Sequence, residues 1–129
     1  MNRSSDRGAI SVALMLVVLI TLGGAGLVVD GGRAMSARRH ASNTAEAAAR
    51  AAVATATPVA SFDPVTARRA ALASTAAAGV PAADVTVVVG RDSVRVTVVE
   101  RRRAVFLVLG GVSTLTVRAT GIARIVYSD

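Results

Sequence analysis

A chain of 129 residues with no cysteine, one histidine and a formal net charge of +7 excludes disulfides, thiolate metal sites and any imidazole chemistry not built around His40. Every basic residue is arginine, the arginines are scattered, and the only aromatics are Phe62, Phe106 and Tyr127. Stacking platforms for nucleic-acid bases are therefore missing, and the charge points to anionic lipid or an acidic partner surface. The sequence holds no Gly-rich phosphate loop, no metal-ligand spacing and no nucleophile with a base at recognisable spacing, so no enzyme, cofactor or small-molecule substrate is expected.

From Gly8 to Val29 no residue is charged, and Asp30 and Arg33 close the run. At about 1.5 Å per residue this run makes roughly 33 Å of helix, enough to cross the hydrocarbon core of a bilayer. Residues 1–8 read as a short cytoplasmic leader and residues 9–29 as a transmembrane helix. A cleaved secretory signal would use Arg3 and Arg7 as its basic region, with Gly23, Ala25 and Gly26 near the cut. The apolar run exceeds the roughly 7 to 15 residues of a signal core, which favours retention; the same small residues then let another helix approach closely.

Beyond Asp30 the helical period continues. Ala34, Ala37, Ala41, Ala45, Ala48 and Ala52 recur at intervals of three and four, which predicts one narrow alanine stripe on a projecting helix over 30–57. Pro58 is the expected stop, and Gly31 and Gly32 the expected bend at the membrane boundary. Asp30 and Arg33, one turn apart, read either as an interfacial ion pair or with Asp30 as a contact for a neighbouring subunit or assembly factor. His40, in the stretch ARRH, reads as a solvated helix-surface residue.

Residues 58–129 are long enough for one small domain with a thin core of Val, Ala and Leu. Asp63-Pro64 reads as an N-cap with first-turn proline, and Gly79 with Pro81 as a stop, so 64–78 is a short helix. The period then becomes two: Val85, Val87 and Val89, a turn at 90–93, then Val94, Val96 and Val98 make a β-hairpin. A third strand is expected over 114–127, with Leu115, Val117, Ala119, Ala123 and Ile125 on one face and Thr116, Arg118, Thr120 and Arg124 on the other. The expected fold class is α+β and membrane-anchored: a long N-terminal helix, a short helix and a small antiparallel sheet of about three strands.

The connection between the second and third strands, residues 101–112, is too short to span a bilayer. Arg101, Arg102 and Arg103 beside Phe106 and Leu107 suit a segment dipping into the headgroup layer; the alternative is a buried connection with solvated arginines.

The stretch from Gly8 to Ala52 resembles the N-terminal region of TadE/TadG-like proteins of tight-adherence (Flp-type) pilus systems. The matching residues are Val29, Asp30, Gly32 and Arg33, followed by Asn43, Ala45, Glu46, Ala47, Ala48 and Ala49. The closing TLTVRATGIARI is similar to the Thr- and Ala-rich last strand of small TadE-like proteins. The resemblance implies a bitopic, non-enzymatic pseudopilin-like or minor-pilin component that works with other pilus or secretion-system subunits in the membrane. It implies a cytoplasmic N-terminus and an extracytoplasmic domain.

Two features depart from that pattern. Prepilin-type processing takes a Gly before the apolar run and a Glu five residues after the cut; Gly8 supplies the first, but Ala13 stands at the second position. An unprocessed, membrane-retained component fits this better than a fibre subunit. Arg33, Arg38 and Arg39 outnumber Arg3 and Arg7, so arginine count alone favours the opposite orientation, and the outward domain rests on the family. The competing function class is a single-pass membrane-anchored module that recruits a protein or anionic lipid.

Overall fold

A computed structural model describes residues 3–57 and 63–125, with side chains described from Gly8 onward. Pro58 and the end of the expected third strand, Tyr127 included, lie outside these residues.

One helix, α1 (Arg3–Val53), carries both the apolar run and its polar continuation, and is unbroken through Gly31 and Gly32. Its first half is bare: Ile10, Leu14, Leu16, Leu19, Leu22 and Leu27 are all exposed. The helix is long and apolar enough to cross a membrane. Its second half is the spine of the folded domain. Ala37, Ala41, Ala45, Ala48 and Ala52 are buried as the alanine period predicts, and Thr44 and Ala49 widen the stripe because a sheet and a helix flank it on two sides.

The helix ends at Val53, short of the expected Thr57. Thr55 tightens the exit: its N–H and its hydroxyl both donate to the Ala52 carbonyl, at 3.2 and 2.7 Å, in place of continuing the helical ladder.

α2 (Pro64–Ala77) begins as its sequence predicts, with the Asp63 carboxylate accepting from the Val65 and Thr66 N–H groups at 3.3 and 3.0 Å. A bond from the Thr66 hydroxyl, followed by those from the Thr66 and Val65 N–H groups, holds the Asp63 carboxyl below the ordinary aspartate range. Gly79 takes a left-handed φ of 79°, and the Gly79 and Val80 N–H groups return to Ala76 and Thr75 in a Schellman closure. Ala67, Ala71 and Thr75, one turn apart, form its buried edge against α1.

The sheet has β1 (Val85–Val89), β2 (Ser93–Arg103) and β3 (Thr114–Arg124) in antiparallel order 1-2-3. Val94, Val96 and Val98 are fully buried on its inner face, each worth roughly 1.5–3 kcal/mol by burial. The predicted faces of β3 hold, with Gly121 taking the inner position opposite Val96.

Within the sheet, the end of β2 differs from the sequence expectation. Arg101, Arg102 and Arg103 belong to β2, paired with Thr116, Leu115 and Thr114, so the connection is residues 104–113. The alternation simply continues: Glu100 points inward and Arg101 outward.

Candidate functional site

The connection between β2 and β3 turns back along α1 to the bare apolar half. Leu107–Gly110 form a single 3₁₀ turn closed by Gly111, whose φ of 86° requires glycine at low cost. Phe106 lies against Gly26, where an added Cβ would stand 2.6 Å from the Phe106 Cβ. Leu107, Leu109 and Gly110 face Leu19, Leu22, Gly23 and Leu27 across an apolar groove of about 490 Å³.

Asp30 fixes this arrangement. Its side chain is 1% exposed, and its two oxygens accept the N–H groups of Val105 at 2.9 Å, Phe106 at 2.9 Å and Leu107 at 2.7 Å. Those three donors have no carbonyl partner among the described residues. The bonds hold the Asp30 carboxyl below the ordinary aspartate range: Leu107 and Val105 lead, burial opposes them, and Phe106 and the charge of Arg33 add smaller contributions. Of the two readings of Asp30, the ion pair with Arg33 does not form at salt-bridge distance; the carboxylate turns to backbone N–H groups instead.

The remaining residues of the sequence motif do not converge. Gly32, Arg33, Asn43 and Glu46 all lie exposed along α1. Glu46 accepts from the Ser42 hydroxyl at 3.5 Å and pairs with Arg50 at 3.7 Å, an ordinary helix-surface arrangement. Gly8, the candidate processing position, is exposed on the helix near its start.

His40 is not merely solvated. Its Nδ1 meets Glu100 Oε1, while the other Glu100 oxygen accepts from Arg102 at 3.0 Å. Glu100 is 7% exposed, on the inner-face parity of β2 where a valine would continue the run. Arg101 pairs with Asp84. Two of the three arginines before the connection therefore have acidic partners, a circumstance that composition could not reveal. The signal for Glu100 was there in its parity, and the signal for Gly121 in a glycine on an otherwise apolar face.

Among the described residues no group of three or more His, Cys, Asp or Glu is placed to hold a metal. A polar hollow of about 400 Å³ is lined by His40, Glu100, Asp84 and the arginines that neutralise them.

On the outer sheet face, Arg95, Arg103, Arg118 and Arg124 are exposed, with Thr97 and Thr120 hydrogen-bonded between them at 3.1 Å. None of these four has an acidic partner within 4.0 Å among the described residues.

Residues 8–56 match the Tad family model, described as "Putative Flp pilus-assembly TadE/G-like". The match covers the apolar helix, Asp30 and the alanine spine, and stops before α2. No curated protein and no solved structure matches the chain.

Proposed function

Proceeding from the TadE/TadG-like character of residues 8–56, we propose that the chain is a non-enzymatic, pilin-like assembly component of a Flp-type pilus or related secretion fibre. It is anchored by residues 9–29 and carries residues 58–129 outside the cytoplasm. The observation that carries this reading is the division of labour along α1: one continuous helix is bare and apolar in its first half and is the spine of a small sheet domain in its second. A bare apolar helix can pack only with lipid or with other apolar helices, as in a membrane-embedded assembly. Its partners are accordingly the bilayer and other subunits of the same system.

The absence of an acidic residue in the apolar run supports a chain that stays in the membrane with its leader intact. The alternative, an anchored recruiting module, draws its support from the exposed arginines of the outer sheet face, which suit an acidic partner.

The test uses the lack of native cysteine. Arg91→Cys, in the exposed hairpin turn, is exposed to a membrane-impermeant maleimide in intact cells, with lysed cells as control. The expected result is labelling of a membrane-retained chain of unprocessed mass, together with loss of surface fibres when the gene is deleted. Labelling only after lysis overturns the orientation. Intact fibre formation without the gene overturns the pilus role and leaves the recruiting module.

A further inference from the structure

We propose that residues 105–112 are a lipid-immersed wedge, latched by Asp30 against the membrane-spanning half of α1, so that the protein holds the bilayer by two elements. The inference rests on residues 9–29 being a retained span and not on any role in pili.

Depth is the first argument. Leu107 and Leu109 share an apolar groove with Leu22 and Leu19, which lie about 12 and 16 Å below Asp30 along the helix axis. With Asp30 at the membrane boundary, a leaflet's hydrocarbon extends about 15 Å inward. The contact of Phe106 with Gly26 sets the wedge about 6 Å below Asp30, within the leaflet's hydrocarbon on the domain's side, and the groove it lines extends deeper.

Surface chemistry is the second. Leu109 is 87% exposed, and Val105, Phe106, Val108 and Val112 are also exposed. In water this would be a costly patch on so small a domain; here it continues the bare surface of Leu19, Leu22 and Leu27. Arg103 ends β2 directly above it and Arg33 lies one turn beyond Asp30, placing these two guanidinium groups near the height of lipid phosphates, while Arg101 and Arg102 are held by Asp84 and Glu100.

Backbone satisfaction is the third and strongest. Hydrocarbon offers no partner to an irregular backbone, so a connection immersed there must satisfy its own donors. Ala104 N–H donates to Ser113 O at 3.1 Å. The turn is closed from Leu109 to Phe106 at 3.0 Å, from Gly111 to Val108 at 3.1 Å and from Val112 to Leu107 at 3.0 Å. Three of the remaining donors, on Val105, Phe106 and Leu107, are accepted by Asp30.

The experiment places the only tryptophan of the chain at the tip, as Leu109→Trp, in the full-length protein reconstituted into phosphatidylcholine and phosphatidylglycerol vesicles. Acyl-chain-brominated lipid is expected to quench its emission about twofold or more, as for a ring at hydrocarbon depth, while aqueous iodide leaves it unchanged. Adding Asp30→Asn, which removes the charge and one acceptor oxygen, is expected to reverse the two sensitivities while helix content by circular dichroism is kept. Quenching by iodide alone in the single variant overturns the wedge. Protection from both quenchers, with dependence on protein-to-lipid ratio, overturns it in favour of a second copy covering the patch. Unchanged quenching in the Asp30→Asn background overturns the latch. A chain that carbonate extracts from the vesicles overturns the span as well; a retained chain with iodide-accessible Trp overturns the wedge alone.

Discussion

Gly121 of β3 lies directly beneath the backbone of Ala45 in α1: a Cβ at Gly121 would overlap the Ala45 carbonyl carbon and the Glu46 nitrogen. Ala45 is fully buried at this crossing. Two small residues thus set the distance between helix and sheet, and the thin core of Val and Ala closes only because that distance is short.

Gly121→Ala is therefore expected to destabilise the domain by about 1–3 kcal/mol, because the obstacle is helix backbone and not a movable side chain tip. Gly121→Val is expected to abolish folding. Denaturant unfolding of the detergent-solubilised full chain measures both, and an unchanged midpoint for Gly121→Ala contradicts the crossing.

Gly26→Ala is expected to push Phe106 off α1, since the nearest atoms are the Cβ and Cγ at the root of that side chain. Phe106→Gly, which removes the Cβ as well as the ring, is expected to absorb the added methyl. The pair should therefore be strongly non-additive when protease susceptibility of residues 104–113 is followed in a double-mutant cycle.

Acid should loosen both carboxylate caps. Asp30 and Asp63 have folded-state pKa values below the ordinary aspartate value, so the native state binds fewer protons than the unfolded chain. Their contribution is complete above the ordinary value of about 3.9 and disappears as pH falls through the lower folded value. Unfolding followed from pH 6 downward should show stability falling in that window. Asp30→Asn and Asp63→Asn should each flatten the slope, and a variant pair with the wild-type slope would contradict the assignment.

The two partners of Glu100 should be partly interchangeable. His40→Ala and Arg102→Ala each leave one carboxylate oxygen unpaired, and each is expected to cost up to about 1 kcal/mol because both partners are well exposed. The double variant strands a nearly buried carboxylate and is expected to cost more than the two single losses together. Thermal unfolding of the four chains checks this; strict additivity would show that the oxygens act separately.

Periodicity carried most of the architecture. The alanine stripe, the Asp63-Pro64 start, the hairpin and both faces of β3 were legible because each is a local pattern with one satisfactory burial. The contacts of Asp30 were not, since the three N–H groups it accepts lie 75 to 77 residues away and nothing in a local window marks them. The ion pair predicted with Arg33 followed the i, i+3 rule, which counts charges and overlooks backbone donors needing an acceptor. Arg101, Arg102 and Arg103 read as a connection because a run of like charge obscures an alternation that Glu100 continues. The helix end moved from Thr57 to Val53 because a threonine hydroxyl competed for a carbonyl.

The continuity of α1 through Gly31 and Gly32 makes the molecule a shaft with a head fixed to it. Each residue of an α-helix turns about 100° around the axis, so the azimuth of the apolar half dictates the compass bearing of the sheet above the membrane. Whatever neighbour engages the shaft within the bilayer also aims the arginine-bearing face of the head, with no joint in between to take up the rotation.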